Sequence, residues 1–79
     1  MTYIATFFSH YGAVSYQKQC EKEGITSCLA PVPRTLSSSC GTCVRCEERW
    51  VVPTGESLED VEKVVRETEN GYETEWEPD

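Results

Sequence analysis

The side chains best suited to chemistry in this sequence are thiols. Five cysteines occur in 79 residues, and Cys40, Cys43 and Cys46 are spaced three residues apart. A cysteine thiolate is both a nucleophile and a soft metal ligand, so the spacing allows two kinds of site. One is a reactive thiol at Cys40, where Gly41 would let another molecule approach the backbone closely. The other is a metal centre.

The metal alternative uses Cys40, Cys43 and Cys46, whose spacing is typical of half an iron–sulfur or zinc motif. A strand over residues 42–46 would put Cys43 on the face opposite the other two, which would lie about 20 Å apart. A metal site therefore requires a loop here. A redox pair of Cys40 and Cys43 is a further alternative. The missing fourth metal ligand would have to be Cys20, Cys28 or His10.

The hydropathy pattern of the first thirty residues predicts a strand, a helix and a second strand. Residues 2–8 are rich in β-branched and aromatic side chains and predict the first strand. Ser9 is a good N-cap for a helix that runs to about Glu23 and stops at Gly24. Residues 25–30 predict the second strand, which prolines then end.

The second half of the chain predicts the same elements again. Residues 42–52 have strand character, and the apolar stripe over 58–68 predicts a second helix capped by Ser57. Alternation over 72–76 predicts an edge strand. The order βαββαβ predicts one domain, residues 1–79, with a ferredoxin-like α+β sandwich: a four-stranded antiparallel sheet with two helices on one face.

This topology places the surroundings of Cys40. The third strand would run back between the first two, so its start, the end of the first strand and the start of the first helix share one sheet edge. We expect Arg34, Ser39 and the leading amides of the helix to stabilise a Cys40 thiolate there, with His10 as a further candidate. Cys20 and Cys28 are expected in the core.

The segment from Pro31 to Gly41, Pro-Val-Pro-Arg-Thr-Leu-Ser-Ser-Ser-Cys-Gly, is the most distinctive in the sequence. With the strand end at residues 6–9 and the helix bearing Ala13, it resembles a small bacterial family of selenium/sulfur (Se/S) carrier protein-like domains. The resemblance covers nearly the whole chain and departs after Gly41, where Thr-Cys-Val-Arg-Cys stands in place of an apolar strand. It implies that Cys40 carries sulfur or selenium as a persulfide or selenosulfide.

Charge and composition argue against several classes of function. The net charge is −7, with +1 on residues 1–55 and −8 on residues 56–79. Binding to nucleic acid or to an anionic membrane surface is not expected, because both need a positive face. With no apolar run long enough for a membrane helix or a signal peptide, we expect a cytoplasmic protein with reduced thiols.

These observations favour a thiol carrier, more a carrier than an enzyme, in which Cys40 is the sulfur acceptor. The predicted site residues are Cys40, Arg34, Ser39, Gly41 and His10. No cofactor is predicted. Sulfur- or selenium-donating and accepting proteins are the expected partners, and a sheet face left bare by the helices would allow a homodimer. The alternatives are the metal-binding module described above and a small partner-binding domain with no chemistry.

Overall fold

The computed structural model describes residues 1–36 and 38–79. Its strands all belong to one antiparallel sheet in the order β2-β3-β1-β4-β5, which confirms the α+β class. Within the described residues, no helix combines the length and the apolar character needed to cross a bilayer. The elements in chain order are β1 (Thr2–Phe7), α1 (His10–Lys22), β2 (Ser27–Pro31), β3 (Thr42–Glu47), α2 (Glu56–Asp60), β4 (Val61–Thr68) and β5 (Gly71–Trp76).

The predicted second helix over residues 58–68 is wrong, because most of this segment is strand β4. In the pairing of β1 with β4, Thr6 lies opposite Lys63 and Phe7 lies opposite Val61, so Glu62 is an extra residue in a bulge. A bulge shifts the alternation of a strand by one position. Val61 and Val64 therefore face the same side although they are three residues apart, which is the spacing of a helix face.

The four-stranded, ferredoxin-like sandwich is not confirmed in that form. The sheet has five strands, because β4 and β5 form a hairpin with Glu69 and Asn70 in the turn, and α2 has only five residues. The predicted relation of the first three strands is confirmed: β3 is antiparallel to both β1 and β2 and lies between them. The edge position of the last strand is also confirmed.

One face of the sheet packs against α1. Tyr16 is fully buried in this layer, and its hydroxyl donates a hydrogen bond of 2.6 Å to the backbone oxygen of Val51. This bond holds the chain after β3 over the helix instead of in the sheet, so β3 ends at Glu47 and not at the predicted residue 52. The buried residues of the layer are Ala5, Phe7, Ala13, Tyr16, Cys20, Ile25, Val44, Cys46, Val61 and Val64.

The opposite face of the sheet is not bare. The segment that follows β2 folds back over it, and Leu36 is buried against Ile4, Cys43 and Val65. Val32 packs against the same cluster. The apolar surface that a homodimer would need is therefore partly covered by the chain itself.

The start of α1 is packed closely against the residue that precedes β4. A Cβ atom added at Gly12 would lie 2.6 Å from the Cβ atom of Asp60 and 3.2 Å from the ring of Phe7. Atoms cannot approach so closely, so this helix turn requires glycine. The contact fixes Asp60 beside the N-terminus of α1.

Candidate functional site

Cys40 lies at the sheet edge where the sequence placed it. It is half-buried and stands two residues before β3. The end of β1 reaches this edge, since Thr6 pairs with Cys43, and the end of β2 reaches it too, since Pro31 pairs with Thr42. The thiol therefore sits outside the regular strands but next to the ends of three of them.

A carboxylate fixes the backbone before Cys40. The Ser38 hydroxyl lies 2.5 Å from Oε1 of Glu62 and 3.2 Å from the backbone oxygen of Phe7. The Ser39 amide donates to the same Oε1 at 3.3 Å, and its hydroxyl lies 3.5 Å from Oε2. Glu62, the bulge residue of β4, thus ties the serine segment to the sheet. Ser37 lies outside the described residues.

The leading turn of α1 is occupied by the protein's own groups. The Ser9 hydroxyl accepts a hydrogen bond of 3.1 Å from the Gly12 amide and itself donates to the carboxylate of Asp60. The predicted N-cap at Ser9 is confirmed. Because Asp60 already places a carboxylate at the positive end of the helix, this end is not reserved for the sulfur of Cys40.

The other predicted site residues lie around the same edge. Nδ1 of His10 is 3.2 Å from the hydroxyl oxygen of Thr42, two residues beyond Cys40. The backbone oxygen of Gly41 accepts a hydrogen bond of 3.1 Å from Val32, and the space where its side chain would be is open. Arg34 is exposed in the turn after β2 and takes part in none of the ion pairs formed by the described residues.

The three cysteines of the metal alternative do not converge. Cys43 lies in the cluster under Leu36, whereas Cys46 lies in the layer under α1, on the opposite face of the sheet. Across residues 1–36 and 38–79, no group of three or more His, Cys, Asp or Glu side chains is placed to hold a metal ion. The strand over residues 42–47 is the reason, since it alternates successive side chains between faces.

The five thiols divide by exposure. Cys20, Cys43 and Cys46 are buried, Cys40 is half-buried, and Cys28 is exposed. Cys20 was expected in the core and is there. The core position expected for Cys28 is wrong, because β2 is an edge strand and Cys28 lies opposite Arg45 on a part of the sheet that Leu36 does not cover.

Sequence reasoning missed a close pair of thiols. The Sγ atoms of Cys20, in the last turn of α1, and Cys46, near the end of β3, are 3.7 Å apart. The hydrogen bond from Cys46 lowers the pKa of the Cys20 thiol, and the same bond together with burial raises the pKa of Cys46. The signal available was the position of Cys20 on the inner helix face and the alternation that points Cys46 towards it.

A groove of about 540 Å³ lies between α1 and the segment that contains Thr54 and Glu56. Lys18 and Lys22 line it together with Tyr11, which hydrogen-bonds to Glu56. That hydrogen bond raises the pKa of the Tyr11 hydroxyl. Cys40 is not among the residues that line this groove.

Comparison with known proteins gives one match. No curated protein and no solved structure matches the chain. The profile of a protein family does match, over residues 2–77, which is nearly the whole chain and includes every element of the fold. On that match the chain belongs to the family described as "Putative Se/S carrier protein-like".

Proposed function

We propose that this protein carries sulfur or selenium on the thiol of Cys40. Membership of the Se/S carrier protein-like family supports a carrier. The burial of Cys20, Cys43 and Cys46 leaves Cys40 and Cys28 as the thiols that a partner could reach. The observation that best supports Cys40 is its position: it is half-buried in a short segment outside the strands, and open space follows at Gly41. A sulfur donor must reach the accepting sulfur along the S–S bond that breaks, and the open space at Gly41 leaves room next to Cys40 for such a donor.

The proposed loading step moves one neutral sulfur atom without net oxidation. The Cys40 thiolate attacks the terminal sulfur of a persulfide, R–S–SH, forming Cys40–S–SH and releasing R–S⁻. A nucleophile on the acceptor then attacks the terminal sulfur, and Cys40 leaves as the thiolate. Selenium would be carried in the same way as Cys40–S–SeH. The protein supplies the holding sulfur and is a carrier rather than an enzyme.

The surroundings support a carrier whose loop is positioned before a partner arrives. Glu62 anchors Ser38 and Ser39, so the backbone leading to Cys40 is held by the sheet. Arg34 stands exposed six residues earlier and is available to a donor's anionic group. His10 contacts Thr42, which lies two residues after Cys40. We assign Arg34, Ser39, Gly41 and His10 to positioning and recognition around the thiol.

The partners in this proposal are proteins that donate and accept sulfur or selenium. A free thiol of this kind requires a reducing compartment, so the proposal places the protein in the cytoplasm. A homodimer through the sheet face opposite α1 draws less support, since Leu36 and Val32 already pack on the centre of that face.

Sulfur loading of single tryptic peptides tests the proposal. Reduced protein is treated with a low-molecular-weight persulfide, freed of excess donor, and digested; Cys28 lies in peptide 23–34, and Cys40 lies in peptide 35–45. We expect one added sulfur mass on Cys40, assigned by fragmentation, and its release as thiocyanate on adding cyanide. Cys40→Ser should lower the thiocyanate yield by at least about tenfold, since the nucleophile is removed.

Cys28→Ser is the matched control, because it removes the other accessible thiol by the same substitution. It should leave the thiocyanate yield near that of the natural sequence. Equal yields from Cys40→Ser and the natural sequence would refute Cys40 as the carrier. A loss of thiocyanate yield confined to Cys28→Ser would assign the carrier role to Cys28 in the edge strand β2.

A further inference from the structure

Two buried thiols outside the proposed carrier site meet at the far end of β3. Cys20 and Cys46 are separated by 26 positions in the chain, yet their Sγ atoms are 3.7 Å apart. Their exposed fractions are 0% and 1%. Among the hydrogen-bond contacts of the described residues, theirs is the one contact that joins two thiols.

We propose that Cys20 and Cys46 form an intramolecular disulfide when the protein meets a thiol oxidant. A disulfide bond is about 2.0 Å long, so the two sulfurs must approach by about 1.7 Å. Both residues lie near the end of their elements: α1 ends at Lys22, and β3 ends at Glu47. Element ends adjust and open at lower cost than element centres, so the movement is local.

The position of the proton between the two thiols indicates which sulfur attacks the oxidant and which one then closes the disulfide. The hydrogen bond from Cys46 lowers the pKa of Cys20, which makes Cys20 the sulfur that reacts first as a thiolate. Cys46 keeps its proton until the second step, since the same bond and burial raise its pKa.

With hydrogen peroxide as the oxidant, the chemistry balances in two steps. The Cys20 thiolate attacks one peroxide oxygen, giving a sulfenic acid and hydroxide. The Cys46 sulfur then attacks the Cys20 sulfur, forming the S–S bond and releasing the sulfenic oxygen as water. Two thiols lose two electrons and two protons, and the peroxide becomes two waters once hydroxide takes up a proton. Burial favours such a small oxidant over a protein disulfide.

The new disulfide would not include the sulfur of the proposed carrier thiol, Cys40. Cys40 lies before the start of β3, whereas Cys46 lies near its other end. The new bond would connect α1 to β3 covalently and reduce the freedom of the unfolded chain. Oxidation is therefore expected to stabilise the fold.

Trypsin separates the pair from the other thiols. Cys20 is the one cysteine of peptide 19–22, and Cys46 is the one cysteine of peptide 46–49. Reduced, folded, dilute protein is exposed to hydrogen peroxide, its remaining thiols are alkylated, and the digest is analysed by mass spectrometry. We expect a species that joins peptides 19–22 and 46–49 with the loss of two hydrogen masses, and an alkylated Cys28 in peptide 23–34.

The controls separate this outcome from general oxidation. Cys28→Ser should keep the cross-link, and oxidised natural protein should melt at least about 5 °C above the reduced protein. Cys46→Ser treated identically should show no such rise. Alkylated Cys20 and Cys46 after oxidation, with cross-links formed from peptides 23–34 or 35–45, would overturn the proposal. The mapping needs no variant, and it is independent of whether Cys40 carries sulfur.

Discussion

The cysteines of this protein differ in burial, and burial limits the chemical reactions that each thiol can undergo. A carrier thiol must meet another molecule, whereas Cys43 is enclosed by Ile4, Leu36 and Val65. Burial raises the pKa of the Cys43 thiol above its ordinary value of 9.0 and keeps it neutral. Cys43 therefore acts as a small apolar residue of the core.

This burial predicts how stability changes with pH. Above about pH 9 the unfolded chain loses the Cys43 proton while the folded chain retains it, so the folded state binds more protons and its stability falls as pH rises. Tyr16, whose pKa burial also raises from 10.0, acts in the same direction. Urea unfolding of reduced protein should show a free energy of unfolding that declines above about pH 9.

Cys43→Ala is the variant that isolates the thiol. It should lower the free energy of unfolding at neutral pH but weaken the decline that begins near pH 9, because the titrating group is gone. A decline of unchanged steepness in Cys43→Ala would contradict the assignment.

The close approach at Gly12 gives a second prediction at the level of one residue. Gly12→Ala should lower the free energy of unfolding by about 1–3 kcal/mol, because the added Cβ would meet the Cβ of Asp60 at 2.6 Å. The helix propensity of alanine opposes this loss by up to about 1 kcal/mol. Gly41→Ala, where space is open, should stay within about 0.5 kcal/mol of the natural protein. Equal effects of both substitutions in urea unfolding would contradict the contact.

Among the elements, those with a strong local signal were predicted from sequence. Ser9 caps α1 as expected, and β1 and β5 follow the alternation and composition that predicted them. The segment of β4 was mistaken for a helix because its apolar residues Leu58, Val61, Val65 and Thr68 have helical spacing. In the structure Val61 and Val65 lie in clusters on opposite faces of the sheet, and Glu62 forms a bulge between Val61 and Lys63. A bulge depends on pairing with β1, so the isolated segment carries no sign of it.

For the candidate site, the sequence predicted the arrangement of the strand ends but not the side chains that come from distant segments. The topology of the first three strands correctly brought the end of β1 and the start of β3 to one edge beside Cys40. The sequence did not reveal Asp60 and Glu62 at that edge, because the helix was expected to continue beyond Asp60, where the structure instead begins β4. The pairing of Cys20 with Cys46 was missed because it depends on how the end of α1 crosses the sheet.

The cap of α1 supplies a prediction at the element scale. Ser9→Ala should lower the free energy of unfolding by about 1 kcal/mol, since the Gly12 amide loses its acceptor and Asp60 loses its donor. Ser15→Ala, the same substitution within α1, should change it by less than about 0.5 kcal/mol. Denaturant melts followed by circular dichroism would measure both. A loss of equal size at Ser15 would show that the cap contributes nothing special.

The molecule as a whole carries its charge unevenly. Its extents are 32 × 26 × 24 Å, and residues 56–79 hold ten of its fourteen acidic side chains. At about 0.01 M salt the screening length is about 30 Å, so these charges repel one another across the entire fold. Exposed ion pairs such as Arg66 with Glu73 and Glu75 offset this only in part.

Added salt should therefore raise the melting temperature. Going from about 0.01 M to 0.15 M NaCl shortens the screening length to about 8 Å and weakens the repulsion. Glu69→Gln, within the acidic segment, should make the melting temperature less dependent on salt. Glu23→Gln removes the same charge at the end of α1, outside the acidic segment, and should reduce the salt dependence of the melting temperature less. A melting temperature that falls with salt would show that the ion pairs outweigh the repulsion.

The contact between Trp50 and Trp76 supplies an optical reporter. The two indole rings are 6.2 Å apart and tilted by 47°, and they are the only tryptophans in the sequence. Their fluorescence therefore reports on one place, where the last strand meets the chain beyond β3. Detachment of β5 would change the emission before the rest of the sheet melts, and coincidence of emission with the far-ultraviolet signal would show that the strand unfolds together with the domain.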